Sequence, residues 1–442
     1  MLLKDIYISP KFYKVSAIII VAFISSFVLP FTFYFCLALL GGFIFVVSSD
    51  FLFLKAKKGK VMCVRKVAPM LPLGDEVNII ISVFNQTNFN LAVEIVDELP
   101  EQFQKRNFSI LTNLNSKQRI ELTYPVRAVK RGIYKWGECH LYLQSKLGLL
   151  QRKFSYTLPT QSAVYPSILQ MKMQELQLQK NVFQFSGIKK LRRFGHSYEF
   201  EQIKNYTIGD DFRCINWKAT GRRNQLMVNQ YGDEKSQQVY SIIDKSRAMQ
   251  MPFYGMSLLD YAINTSLVIA NTALLKYDRA GYISFSEKFG TFVKADSKPT
   301  QLKTILESLY KEKESDLEAN YELLFQAVKH FVTQRSLLII YTNFESYYSL
   351  ERVLPILRKI NQMHLVLVVI FKNTEIEKYS FGDAVDLEEV YTRTIGKKFL
   401  YEKDTIIKEF AKYGIQSILT APEDLSTNTI NKYLEFKAKG WI

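Results

Sequence analysis

The alternation of apolar and polar positions divides this chain into four stretches. From Val15 to Ser49 no residue is charged, a run of about 35. That exceeds the roughly 20 residues one membrane-spanning helix needs, and Pro30 sits near its middle. The pattern predicts a transmembrane hairpin within residues 1–55, with helices over 12–29 and 31–52 and a very tight turn between them. A cleaved leader would end in a small-residue site. Here the apolar run continues past the proline instead.

Residues 60–166 read as a β-sandwich-like domain. Short runs rich in β-branched residues end in turn formers. Residues 76–85 form one such run before Asn-Gln-Thr-Asn. Residues 119–145 supply two further strands around Arg131 and Gly132, and 147–158 supply another. Pro159 and Pro166 bound the end. Nothing in this stretch forms a catalytic constellation, so a structural or protein-binding role is expected.

From residue 239 to the end, apolar strands alternate with helix-length amphipathic segments. Strands are expected at 239–244, 280–286, 336–344, 364–371 and 415–421. Helices are expected over 257–278, 300–313, 319–334, 350–362, 403–413 and 427–439. Such alternation predicts an α/β, mainly parallel, doubly wound sheet. Ligands of such sheets sit at the carboxyl ends of strands, which directs attention to Asp244, Ser246 and Asn343.

The stretch between, residues 167–238, carries the densest motif. Gly209 can take the positive φ of a tight turn. Asp210 and Asp211 can accept turn amides or pair with Arg213. Asn216, Trp217 and Lys218 follow, then Arg222 and Arg223. One reading is a clasp that pins this segment to the next domain through an Arg–carboxylate pair and a buried Trp217. The other is a docking loop or a phosphate-binding basic patch. Residues 225–231 alternate well enough to form an edge strand beside the next sheet.

Charge sharpens the picture. Lys plus Arg number 58 against 42 Asp plus Glu, a net charge of +16. This suits an anionic membrane face or a polyanion. Lys4, Lys11 and Lys14 precede the apolar run, and Lys55, Lys57, Lys58 and Lys60 follow it. The positive-inside rule then places both termini and the soluble body on the cytoplasmic side of the inner membrane. Aromatic residues make up 14% of the chain, but many fall in the hairpin and the strands. Nucleic acid is therefore not the expected partner, and a basic nucleic-acid-binding protein is the lesser alternative.

Cys36, Cys63, Cys139 and Cys214 form no CxxC pair and lie far apart in sequence. His140, His196, His330 and His364 are equally dispersed. Neither a zinc site nor a disulfide framework is indicated, and unpaired thiols fit a reducing compartment. No G-x-S-x-G, H-E-x-x-H or G-x-x-x-x-G-K-[ST] pattern occurs, so no enzyme activity and no nucleotide site of its own are expected. The Gly209–Asp211 triplet matches polymerase carboxylates by letter alone, without their partner motifs.

Residues 198–244, together with Arg131, Gly132 and Tyr134, then Gly148 and Leu149, then Val164 to Pro166, resemble a membrane-anchored bacterial family catalogued as domain of unknown function fifty-eight. That resemblance implies a von Willebrand factor A-like domain over 239–442. It also implies a non-enzymatic adaptor or scaffold working with a MoxR-type AAA+ ATPase, in contact with the lipid bilayer and other membrane or envelope proteins. Von Willebrand A domains hold Mg²⁺ on an Asp-x-Ser-x-Ser loop with a Thr and an Asp from elsewhere. Here Asp244 and Ser246 match, Ala248 replaces the second Ser, and Asn343 follows Thr342 where an Asp is expected. Mg²⁺ is the ion this resemblance implies, here on a set lacking one hydroxyl and one carboxylate. A metal-dependent protein-binding module acting without an ATPase is the alternative.

Overall fold

The computed structural model describes residues 5–28, 30–55, 61–105, 108–145, 147–158, 160–167, 199–232, 236–382 and 386–442. Lys4, Lys57, Lys58, Lys60, Pro159, His196 and Tyr198 lie outside them. The chain forms two compact units, Met1–Tyr165 and Pro166–Ile442.

The first unit opens with strand β1 (Ile6–Ile8), helix α1 (Pro10–Val28), a single 3-10 turn (Pro30–Thr32) and helix α2 (Phe33–Lys55). Proline has no N–H to donate and so favours a break where the two helices meet. Both helices are long and apolar enough to cross a membrane. Their outer surfaces show Ile20, Ile24, Phe35 and Phe45, as expected of helices solvated by lipid.

The following strands are β2 (Val61–Lys66), β3 (Met70–Pro72), β4 (Glu76–Asn85), β5 (Leu91–Asp97), β6 (Ser109–Leu114), β7 (Arg119–Arg127), β8 (Gly132–Trp136), β9 (Cys139–Gln144), β10 (Leu150–Tyr156) and β11 (Thr160–Tyr165). Residues 119–145 thus give three strands, not two. The chain reverses at Gly132, whose φ of 138° a side chain would resist, and again between Trp136 and Cys139. The sheets run β1-β10-β9-β5-β6, β2-β4-β7 and β3-β11-β8.

β2 buries every second side chain, Val61, Cys63 and Arg65, which is the signature of a sheet packed on one face. Its partner across the interior is the five-stranded sheet. Cys63 Sγ lies 3.4 Å from Cys139 Sγ on β9. Sequence separation had given no reason to associate these two thiols, and only the stacking of two sheets brings them together. Both are free and buried.

Strand β1 was not anticipated. It pairs antiparallel with β10, Ile6 opposite Arg152 and Ile8 opposite Leu150. The end of α2 meets the same strand: Asp50 Oδ2 accepts the Leu150 N–H at 3.0 Å, and Arg152 Nη1 donates to Leu54 O at 2.7 Å. The hairpin is therefore joined to the sandwich at both ends.

Among the described residues, the first elements of the second unit are an antiparallel pair, β12 (Glu199–Asn205) and β13 (Met227–Gly232), bridged by a 3-10 turn (Phe212–Cys214) and helix α3 (Trp217–Arg223). β13 pairs with β12 in a sheet of two. The expected edge strand beside the next sheet is thus half of a separate arm.

Next come β14 (Gln238–Asp244), the two-residue strands β15 (Pro252–Phe253) and β16 (Met256–Ser257), α4 (Leu258–Leu275), β17 (Arg279–Phe285), β18 (Phe289–Asp296), α5 (Gln301–Lys311), α6 (Tyr321–Phe331), β19 (Leu337–Thr342), α7 (Tyr347–Met363), β20 (Leu365–Phe371), α8 (Thr374–Ser380), α9 (Leu387–Lys412), β21 (Gln416–Thr420) and α10 (Leu425–Lys439). The sheet order is β18-β17-β14-β19-β20-β21. All neighbours are parallel except the β17–β18 hairpin.

Residues alternate between the two faces. Val239, Ile243, Ile339 and Val369 pack with α4, α5 and α10. Tyr240, Ile242, Ile340 and Val368 pack with α6, α7 and α9. Helices thus cover both faces of a doubly wound sheet. α4 has the length and hydropathy of a membrane span, but it is largely buried in this core. Several features depart from the sequence reading, helix α8 among them. Strand β18 was not foreseen, and the last-but-one helix begins at Leu387, not at Lys403.

Candidate functional site

Two places gather the residues singled out by sequence. The first is the carboxyl edge of the sheet. Connections leave β14 toward β17 on one side and reach β19 on the other, so the β14/β19 ends form the switch point where α/β sheets bind ligands. Asp244 closes β14, and Thr342 and Asn343 follow β19.

The buried Asp244 carboxylate is spoken for by the protein itself. Oδ1 accepts the Ser246 N–H at 2.8 Å, and Oδ2 accepts the Thr342 hydroxyl at 2.8 Å. Tyr321 OH lies 2.7 Å from the same Thr342 oxygen. Burial pushes the Asp244 carboxyl upward, against the opposing hydrogen bonds from Ser246 and Thr342. Asn343 Nδ2 donates to Ala248 O at 3.1 Å, tying the two loops together.

Lys403 from α9 completes the cluster. Its ammonium donates to Asn343 Oδ1 at 2.6 Å and also to Phe344 O. The sequence reading ended its charged region here and missed this side chain. A lysine in phase with the buried Ile406 and Phe410 was the available signal.

This donor set does not fit Mg²⁺. Hard oxygen ligands in number are required, whereas Asp244 offers one carboxylate already bonded, Ala248 offers none, and the Asn343 oxygen faces an ammonium. Among the described residues no group of three or more His, Cys, Asp or Glu could hold a metal. Lys245, next to Asp244, is paired internally: Nζ lies 2.8 Å from Glu312 Oε2, and Ser284 donates to the other carboxylate oxygen at 2.8 Å.

The second place is the β12–β13 arm. Its polar residues bond to one another and to the turn backbone and so build it. Asp210 Oδ2 accepts Thr207 N–H and hydroxyl at 2.9 and 2.8 Å, while Oδ1 pairs with Lys204 at 2.7 Å. The Lys204 bond, with those from Thr207, holds the Asp210 carboxyl down to about 2. Asp211 Oδ1 accepts the Arg213 backbone N–H at 2.9 Å, and the Arg213 guanidinium lies over the Phe212 ring. The expected Arg213–carboxylate clasp is thus replaced by a Lys204–Asp210 pair and an Asp211 cap. Gly209 turns the loop with φ at 111°.

Asn216 caps α3. Its Oδ1 accepts Ala219 N–H at 3.0 Å, and its Nδ2 donates to Asn229 on β13 at 2.8 Å. The large apolar residues of the motif take no part in that network and are exposed. Trp217 is 71% exposed, Phe212 69%, and Ile208 is fully exposed. The expectation of a buried Trp217 is therefore wrong. It starts α3, where the cap fixes the backbone and the ring stays exposed among the described residues. Lys218, Arg222 and Arg223 are exposed alongside.

Comparison with known proteins agrees on this region. The family described as protein of unknown function DUF58 matches residues 202–403, from the arm through to Lys403. The chain is 23% identical over 230 residues to the uncharacterized protein YeaD of Bacillus subtilis (strain 168), covering 50% of this chain and 55% of that one. The chain thus spans about half the length of that curated relative. Among solved structures, the conserved hypothetical protein BatB from Bacteroides thetaiotaomicron is 16% identical, covers 46% of this chain and 100% of its own, and has a TM-score of 0.30. A PapD-like domain of human CEP192 is 11% identical, covers 24% of this chain and 87% of its own, and has a TM-score of 0.19. At these TM-scores neither likeness assigns a fold.

Proposed function

We propose that this protein is a membrane-anchored, non-enzymatic interaction scaffold whose β12–β13 arm docks a partner protein. The supporting observation is the orientation of the central motif. Its hydrogen-bonding residues build the arm, leaving Ile208, Phe212 and Trp217 in solvent beside Lys218, Arg222 and Arg223. Aromatic and arginine side chains of this kind are the usual energetic centres of protein interfaces.

The two apolar helices serve as the anchor, with the soluble body on the cytoplasmic face of the inner membrane. The second unit's doubly wound sheet, with Asp244 and Ser246 at its strand end, supports a von Willebrand A-like reading. The partner proposed is a MoxR-type AAA+ ATPase. Support for it is the family resemblance of the motif and the absence of any phosphate-binding loop in this sequence, so that nucleotide chemistry must be supplied in trans.

The test is affinity capture of the full-length protein from gently solubilised membranes, with and without a slowly hydrolysed ATP analogue. Trp217→Ala is expected to leave the melting temperature unchanged and to abolish recovery of the ATPase. Undiminished recovery by that variant would remove the arm from the proposal. Recovery of envelope proteins alone would remove the ATPase.

A further inference from the structure

The strand-end edge raises a question separate from the arm: what holds its loops in place if the donor set does not suit a metal ion. A lysine has been spent there. Lys403 is 2% exposed, and it lies on the stripe of α9 that continues as Ile406 and Phe410 in the core. An apolar side chain would extend that stripe without loss of hydration. Burying an ammonium instead is costly unless its hydrogens are satisfied.

Its surroundings are those of a cation site built from neutral acceptors. Nζ meets the Asn343 amide oxygen at 2.6 Å and the Phe344 carbonyl oxygen. The Phe399 ring lies 5.2 Å away, close enough for its face to favour a cation. Asn343 passes the contact on, donating to Ala248 O in the loop after β14. The ammonium thereby connects α9 to the loop after β19, and Asn343 carries the link on to the loop after β14. A divalent ion at a strand edge would make the same kind of connection with oxygen ligands. Burial pushes the Lys403 amine down to about 8, with Glu345 and Glu402 opposing.

We infer that Lys403 is the resident cation of the strand-end site, a tethered ammonium that fixes the β19 loop, and through Asn343 the β14 loop, in place of a metal ion. The site then carries its own charge at neutral pH and is indifferent to chelators. Two features of the chain become consistent with each other: the loss of the second hydroxyl at Ala248, and an amide at Asn343 where a carboxylate would serve a metal.

The experiment uses the full-length protein in detergent with Mn²⁺ as the probe, followed by electron paramagnetic resonance and by thermal unfolding. Wild type is expected to show no saturable Mn²⁺ binding and the same melting temperature in EDTA as in Mg²⁺. Lys403→Ala is expected to melt roughly 4–8 °C lower, because two buried acceptors lose their donor, and to recover part of that loss in methylammonium. Saturable Mn²⁺ binding by wild type that disappears in Asp244→Ala overturns the inference. So does a Lys403→Ala protein that melts at the wild-type temperature. If Lys403→Ala does not fold, the Mn²⁺ titration of wild type against Asp244→Ala still decides.

Discussion

Asp50, in the last turns of the second membrane helix, accepts the backbone N–H of Leu150 at 3.0 Å across 100 residues of sequence. A carboxylate near the end of an apolar helix looks like a flaw in a span. Here it is the bolt between the anchor and the sandwich, with Arg152 holding the Leu54 carbonyl beside it. Asp50→Ala leaves a buried N–H unsatisfied, which costs about 1–3 kcal/mol. Asp50→Asn keeps an acceptor and should cost less. Denaturant unfolding of the detergent-solubilised protein should order the three as wild type, Asn, Ala. Equal stability of all three would show that β1 pairing and the Arg152–Leu54 bond hold the junction without Asp50.

The sandwich interior carries a second committed charge pair. Arg65 Nη1 bonds Asp97 Oδ1 with both side chains fully buried, Nη2 donates to Gly137 O and Leu158 O at 2.9 and 2.8 Å, and Tyr124 donates its hydroxyl to Asp97. Removing one partner strands the other's charge. Arg65→Met should therefore cost about 3–5 kcal/mol. The double variant Arg65→Met, Asp97→Leu should be more stable than the single one, because it removes the stranded carboxylate. A double-mutant cycle in urea reads the difference directly. Additive losses would mean that the two side chains act independently.

His364, at the end of α7, gives a pH dependence. Burial holds its imidazole below the usual histidine range, aided by the Arg335 charge and opposed by a hydrogen bond involving the Gln334 backbone. The unfolded chain therefore binds a proton at His364 at higher pH than the folded chain does. The stabilisation is complete above the unfolded value, about 6.5, and is lost as pH falls below it toward the folded value. His364→Gln should flatten the fall in melting temperature below about pH 6.5. A variant with an unchanged pH profile would place the acid sensitivity elsewhere.

How much of this was legible follows from where the determining contacts lie. The hairpin and the alternation of apolar strands with helices are local patterns, and residues 15–49 and 239–244 announce them. β1 was missed because three residues carry no periodicity; only pairing with Leu150–Arg152 makes them a strand. α9 was shortened because Leu387, Tyr391 and Ile395 are exposed, which breaks the link between apolar spacing and burial. Trp217 was misplaced for the same reason, since indole size argues for burial while its position at the start of a short helix decides otherwise. The Cys63–Cys139 contact and the Lys403–Asn343 bond depend on sheet stacking and on a helix crossing a strand end. Neither is encoded in spacing along the chain.

Asn216 separates building from docking within the arm. Its side chain caps α3 through Ala219 and reaches Asn229 on β13, so it sets the direction in which the neighbouring Trp217 leaves the backbone. Asn216→Ala loses the cap, about 1 kcal/mol, as well as the link to β13. A two-stranded ribbon has little stability to spare. Loss of amide protection should therefore be concentrated in residues 206–226, with the six-stranded sheet unchanged, as hydrogen exchange can show. Asn216→Asp retains an acceptor for Ala219 and should keep most of the protection. Trp217→Ala should leave the exchange pattern intact, because its ring covers no other layer. If instead Trp217→Ala loosens the arm as much as Asn216→Ala does, the ring is part of the arm's own packing, and Phe212 and Ile208 become the residues on which docking must be tested.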